Sequence, residues 1–174
     1  MSDMRADIRA YFPVVPRRGV LAMRASGAAA RGDVRGRRTA RLGGGDGDPG
    51  VLSFDEDASS LLRGFPANAF QGQTVALLNA EYRVPLARPQ RGLGAWPLFV
   101  RSLHATVFSD IGHAWNGPFR VSDVKSSWGA ELSADVTAAY VLPLTWSAGI
   151  AWGRDHSGRV PDNRRVYLRL GHGF

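Results

Sequence analysis

The chain of 174 residues contains no cysteine, which excludes a disulfide framework, a thiolate metal site and a catalytic thiol. It has no apolar stretch of about 20 residues, so no segment is predicted to cross a membrane as a helix. Its apolar residues nowhere repeat with the 3.6-residue period of an amphipathic helix. The first residues mix Asp, Arg and Met without an apolar core, so we predict no signal peptide.

Acidic residues are too few to balance the basic ones, with 15 Asp and Glu against 22 Lys and Arg and a net charge of +7. This balance is compatible with nucleic acid, anionic lipid or sugar phosphates as neighbours. The basic run at residues 35–41 has no interleaved aromatic residues, so nucleic acid is not an expected partner. A solvated loop is the ordinary interpretation of this run, and lipopolysaccharide phosphates would suit it if the loop is extracellular.

What the chain does contain is period-two alternation of apolar and polar residues, the pattern of β-strands. About seven strands are predicted, at residues 4–12, 20–28, 74–86, 103–111, 127–142, 146–153 and 165–174. Residues 32–70 lack periodicity and are predicted as one long loop, and Pro143 with Leu144 as a short turn. The predicted fold is all-β and antiparallel, with a single domain over residues 1–174.

One face of these strands is apolar and the other carries opposite charges, at Glu81, Arg83, Asp110, Glu131, Asp135, Arg165 and Arg169. In a soluble sandwich the apolar face is the core, whereas in a membrane barrel it meets lipid and the polar face lines the lumen. Alternation alone leaves both architectures open. Trp and Tyr near the strand ends, and a chain that stops on Phe174, favour the barrel.

Four segments of the strand pattern form a recognisable series. Residues 62–65 read Leu-Arg-Gly-Phe at the end of the long loop, and residues 79–86 read Asn-Ala-Glu-Tyr-Arg-Val-Pro-Leu. Residues 107–115 contain Phe-Ser-Asp-Ile-Gly, and residues 166–174 end the chain on Gly-Phe. Together and in this order they resemble the C-terminal barrel of the Omp85 superfamily, the bacterial surface antigens and BamA/TamA-like outer-membrane proteins.

The resemblance implies an antiparallel transmembrane β-barrel of the bacterial outer membrane, acting in insertion and assembly or translocation of proteins, without cofactor or metal. The expected partners are outer-membrane lipid and lipopolysaccharide, unfolded outer-membrane proteins or translocated substrates, and the barrel-assembly machinery. The family's barrel has sixteen strands, of which this chain matches about the last seven. Seven strands would leave two open edges in lipid, so we expect the chain to be the C-terminal portion of a longer barrel.

The resemblance also implies a loop anchor made of Arg63, Gly64 and Phe65. The extracellular loop 32–70 would fold back into the lumen, where Arg63 would meet Asp110 and Glu81 on the inner wall. A guanidinium in a narrow lumen needs carboxylate partners, and bidentate geometry would hold the loop in place. Gly64 would allow close backbone approach, and Phe65 would pack beneath it.

The last strand would be read by the assembly machinery as a C-terminal β-signal, with Tyr167, Leu168, Leu170 and Phe174 as its residues. In this interpretation Leu168, Leu170 and Phe174 supply the apolar face and Tyr167 points the other way. The plain alternative is an ordinary edge strand.

The sequence contains no clear catalytic motif, so no enzyme activity is predicted. There is no Gly-x-Ser-x-Gly elbow, and the four histidines have no ligand spacing. Ser109, Asp110 and His113 are close in sequence, but on a strand they are not expected to form a triad. Two alternatives stay open: another outer-membrane barrel, such as a porin or a barrel enzyme, and a soluble β-sandwich binding module.

Overall fold

The computed structural model describes residues 2–14, 19–31, 40–42, 62–66, 69–158 and 162–172. These residues form strands and one short 3-10 turn at Val121–Asp123. The strands are β1 Ser2–Val14, β2 Gly19–Arg31, β3 Ala40–Leu42, β4 Phe70–Gly72, β5 Thr74–Ala87, β6 Arg91–Gly92, β7 Leu98–Trp115, β8 Lys125–Ala138, β9 Leu142–Asp155 and β10 Asn163–His172. In this part of the chain no helix has the length and apolar character needed to span a membrane.

Seven long strands form one antiparallel sheet in the order β1-β2-β5-β7-β8-β9-β10, and the short β6 pairs with β7. Strands β3 and β4 form a separate pair. The predicted all-β, antiparallel fold with about seven long strands is therefore confirmed. Among the described residues the large sheet does not close, because β1 and β10 each have a single neighbour.

The predicted turn at Pro143 and Leu144 is wrong, since both residues lie in β9. The chain reverses earlier, where Ala139 and Tyr140 adopt φ angles of 48° and 65°. The fixed φ of proline is compatible with an extended strand, so proline does not by itself mark a reversal. Most of the predicted loop 32–70 lies outside the described residues, but its short strand β3 pairs with β4.

The two faces of the large sheet differ in polarity and in burial. We call the face on which residues 62–65 lie the inner face and the other the outer face. The inner face buries polar side chains such as Ser127, Glu131 and Ser133. The outer face exposes large apolar side chains, each at least 41% accessible: Leu78, Val107, Ile111, Trp128, Leu132, Trp146, Val166, Leu168 and Leu170.

Glycines on the inner face make room for aromatic rings from neighbouring strands. Tyr167 lies opposite Gly149 across β10 and β9, and Phe108 lies opposite Gly129 across β7 and β8. A Cβ atom at Gly149 would lie 2.5 Å from the Tyr167 ring, and one at Gly129 would lie 2.6 Å from Phe108 Cζ. The rings therefore cover bare backbone, an arrangement that pins the strand register.

This packing makes Gly149 a sensitive position. We expect Gly149→Ala to lower the free energy of unfolding by about 1–3 kcal/mol, because the added methyl group must displace the Tyr167 ring. Equilibrium urea unfolding of the folded protein measures the effect. The matched control is Gly171→Ala in β10, where the new Cβ would have no atom within 4 Å. Equal midpoints for the two variants would contradict the packing argument.

Candidate functional site

The candidate site is built around a tight turn at residues 62–66 that lies on the inner face. Gly64 has a φ angle of 93°, a left-handed conformation that residues with a Cβ rarely adopt. A Cβ there would also lie 2.8 Å from the backbone nitrogen of Gly153 in β9. The turn thus needs glycine for two reasons, its backbone angle and its close approach to the strand.

The turn directs Arg63 into the inner face, where only 1% of the residue is exposed. Its Nε and Nη2 atoms donate to Asp110 Oδ2 and Oδ1 at 2.9 and 2.7 Å, which makes a bidentate pair. Its Nη1 atom lies 2.8 Å from Glu81 Oε1, and its guanidinium carbon lies 3.6 Å from the centre of the Phe108 ring. The structure thus brings together the three charged residues of the sequence analysis.

Asp110 is completely buried and is the hub of the site. Besides the guanidinium, it accepts hydrogen bonds from the Arg63 backbone nitrogen at 3.2 Å and Asn79 Nδ2 at 2.8 Å. Ser127 Oγ donates a further, longer bond of 3.3 Å. Five donors thus meet about four acceptor positions, so this carboxylate is fully satisfied.

Strand register explains why these groups meet. Asn79 in β5, Asp110 in β7, Ser127 in β8 and Gly153 in β9 lie directly opposite one another in a single row across four strands. The first three supply polar atoms and the glycine leaves space for the turn. Arg63 lies over this row, so the site depends on four strands being in register.

The charges at this site are balanced on the inner face. Arg83, whose side chain is 51% exposed, donates to the second oxygen of Glu81 at 2.6 Å. Two arginines therefore face two carboxylates, which offsets the cost of removing them from water. Burial alone would lower the pKa of Arg63, but the hydrogen bonds and charge of Asp110, together with the charge of Glu81, raise it above its usual value. Arg63 is thus a permanent cation.

Phe65 anchors the other side of the turn by apolar contact. It is fully buried in a cluster with Leu42, Leu62, Val75 and Leu77. Its ring meets Phe70 edge-on, with 5.1 Å between the ring centres. The turn is consequently held by an ion pair at one residue and by hydrophobic packing two residues later.

A second polar cluster lies on the inner face near the edge strand β10. Glu131 accepts hydrogen bonds from Tyr167 Oη at 2.8 Å, from Ser133 Oγ at 3.1 Å and from Arg169 Nη2. Tyr167, Ala151 and Phe108 form one buried cluster, and the Arg63 guanidinium lies over the Phe108 ring. The Arg63 site and β10 are therefore joined by a continuous series of contacts.

The residues assigned to the β-signal are divided between the two faces of β10. Tyr167 is buried on the inner face, whereas Leu168 and Leu170 are exposed on the outer face. Phe174 lies outside the described residues. The role of these residues as a signal stays a prediction.

The structure separates the residues that might have suggested an enzyme. Asp110 points to the inner face, whereas Ser109 is exposed and His113 shares the outer face with its partner Ala76. The described residues contain no group of three or more His, Asp or Glu side chains placed to hold a metal ion. The Arg63 site is therefore the most developed polar site in the described part of the chain.

Sequence reasoning missed three contributors to the site. Asn79 and Ser127 hold Asp110, and their only sequence signal is that each is polar on the same face of its strand as the charged residues. Leu42, in the segment predicted to be loop, is fully buried against Leu62 and Phe65. No periodic pattern surrounds Leu42, so the sequence contained no signal for its burial.

Comparison of the chain with protein-family models, with curated proteins and with solved structures finds no match.

The buried ion pair makes Arg63 a critical residue for stability. We expect Arg63→Ala to cost about 3–5 kcal/mol of unfolding free energy, because the buried Asp110 loses its counter-ion and Glu81 loses one of its two arginine partners. Arg63→Lys should recover only part of this, because an ammonium group cannot reproduce the bidentate pair while contacting Glu81. The urea midpoint of unfolding reports both losses.

The matched control is Arg83→Ala, which removes an arginine from the same Glu81 but at a half-exposed position. Its expected cost is about 0–1 kcal/mol. Losses of similar size at Arg63 and Arg83 would show that burial does not distinguish the two arginines.

Proposed function

We propose that this chain is the C-terminal part of an outer-membrane β-barrel of the Omp85 type, which acts in insertion and assembly or translocation of proteins at the bacterial outer membrane. The proposal is carried by the seating of Arg63, the arginine of the Arg-Gly-Phe turn, between Asp110 and Glu81 on a polar wall. This is the contact that the resemblance requires of a loop folded back into a lumen. A passive porin has no need of such a turn.

The polarity of the sheet supports a membrane setting. A soluble β-sandwich buries its apolar face against a second sheet. Here that face is exposed along β5, β7, β8, β9 and β10, while buried polar and charged groups pair with one another on the inner face. Lipid on the outside and a wet lumen on the inside would satisfy both faces.

The strand count is compatible with a larger barrel. Seven antiparallel strands leave β1 and β10 running in the same direction, so an antiparallel barrel closes only if an odd number of strands is added. A sixteen-stranded barrel would add nine. The open edges would then be paired, as a lipid environment requires.

In this proposal the Arg63 turn is a fixed plug rather than a mobile loop. The bidentate ion pair and the Phe65 cluster hold the turn against β5, β7 and β9. Proteins that fold or pass through the barrel would meet this turn and the polar inner face. Lipopolysaccharide and membrane lipid would meet the outer face.

A client-folding assay tests the proposed activity. Vesicles that contain the whole barrel, of which this chain is proposed to be the C-terminal part, should accelerate the folding of a urea-denatured outer-membrane β-barrel client over empty vesicles, measured by its heat-modifiable mobility on gels. Arg63→Ala should lose the acceleration and Arg83→Ala should keep it, when compared at equal amounts of membrane-inserted, protease-resistant protein. If the wild-type protein conducts ions but folds or translocates no client, and Arg63→Ala leaves conductance unchanged, the chain belongs to a passive barrel instead.

The membrane setting has its own test at the outer face. We expect Leu132→Lys to cost about 2–4 kcal/mol, because a charged side chain in the centre of the lipid-facing band is strongly unfavourable. The variant should be depleted from the carbonate-resistant membrane fraction. The control Ser122→Lys, at an exposed position of the 3-10 turn, should fractionate like the wild type. Recovery of the wild-type protein in a urea-soluble fraction would favour the soluble sandwich.

A further inference from the structure

Two turns lie side by side at the end of the sheet opposite the Arg63 turn, and the proposed function leaves them unused. One is the connection between β5 and β7, residues 88–97, and the other is the turn at residues 139–141 between β8 and β9. The backbone nitrogen of Ala139 donates to the carbonyl oxygen of Pro97 at 2.8 Å, which joins the two turns. We call this surface the basic rim and define it by Arg88, Arg91, Leu93, Trp96, Arg101, Tyr140 and Val141.

The apolar side chains of the basic rim are unusually exposed. Trp96 is 74% exposed, Tyr140 82% and Val141 80%. Directly behind them, Leu142 and Trp146 of β9 begin the exposed apolar outer face. Trp and Tyr are favoured where an apolar layer meets water, because each has an apolar ring and a polar group. The rim thus has the side chains of a membrane boundary.

The charges of the basic rim are of one sign. Arg88, Arg91 and Arg101 are all exposed. Within the described residues of this end, the single carboxylate is Asp135, which accepts hydrogen bonds from Ser102 and Thr145 on the inner face. Arg101 lies at the point where the β7–β8 register shifts, a bulge that can redirect a side chain. The rim is therefore complementary to an anionic layer.

The turn that displays Tyr140 is strained. Ala139 and Tyr140 both have positive φ angles, a conformation normally adopted by glycine, asparagine or aspartate. Such residues cost of order 1 kcal/mol or more and cluster at functional positions. A bulky aromatic residue at this position, 82% exposed, is consistent with a role for its ring at a boundary.

We propose that the basic rim binds the headgroup layer of anionic phospholipid, with its arginines on the phosphates and with Trp96 and Tyr140 at the boundary of the acyl chains. The inference rests on the proposed membrane insertion. An acidic protein segment would also fit the arginines. It is less suited to exposed apolar residues that continue into the outer face.

Quenching by brominated lipids tests the proposal. The whole barrel is reconstituted in phosphatidylcholine vesicles that contain either brominated phosphatidylglycerol or brominated phosphatidylcholine. Subtraction of the Trp96→Phe signal isolates the fluorescence of Trp96. We expect phosphatidylglycerol to quench Trp96 preferentially, and added salt to weaken the preference.

Variants test whether the preference for phosphatidylglycerol comes from the arginines of the basic rim. Each arginine near an anionic surface contributes about five-fold in affinity. The triple variant with Arg88→Gln, Arg91→Gln and Arg101→Gln should therefore lose about a hundred-fold in affinity for phosphatidylglycerol. The matched control Arg120→Gln removes an exposed arginine from the opposite end and should keep the preference.

Three results would overturn the inference. Equal quenching of Trp96 by both lipids in inserted protein would reject the basic rim and leave the proposed function standing. A salt-sensitive complex with a polyglutamate peptide, without preference for phosphatidylglycerol, would assign the rim to an acidic protein partner. Extraction of the wild-type protein by alkaline carbonate would overturn both the rim and the proposed membrane function.

Discussion

The pairing of Arg63 with Asp110 is the contact on which the rest of the described inner face depends. A guanidinium with 1% exposure is tolerable only beside a carboxylate that is itself fully satisfied. That requirement places Asn79 and Ser127 in one row with Asp110, and it needs a glycine at the next strand so that the turn can approach. The need of the buried Arg63 for a fully hydrogen-bonded partner thus constrains the register of four strands.

The contacts of Arg63 also extend toward the edge of the sheet. Its guanidinium lies over Phe108, which shares a buried cluster with Ala151 and Tyr167. Tyr167 in turn donates to Glu131, which also binds Arg169. The ion pair and this aromatic and polar series hold the turn and strand β10 in one packed unit. A rigid turn on a polar wall beside an edge strand is the arrangement on which the proposed insertion or translocation role rests.

The inner face, the outer face and one rim of the sheet differ in the chemistry of their side chains. Charged groups on the inner face pair with one another, large apolar side chains on the outer face remain exposed, and arginine with aromatic residues collects at one rim. Each arrangement would be unfavourable for a soluble sheet, since exposed apolar area attracts other surfaces and buried charge needs a partner. The proposed environment, a lipid bilayer around a hydrated interior with anionic headgroups at the rim, would suit all three.

The sequence by itself determined the seven long strands, their antiparallel all-β class and which residues share a face, because alternation is a local property of the extended chain. It located the Arg-Gly-Phe turn, but the partners of Arg63 came from a resemblance rather than from the strand pattern. The tertiary structure decided that the polar face is the buried one, that Leu42 joins the core and that the chain reverses at Ala139 and Tyr140. Register, burial and the desolvation of charge depend on residues far apart in sequence, so no local pattern could supply them.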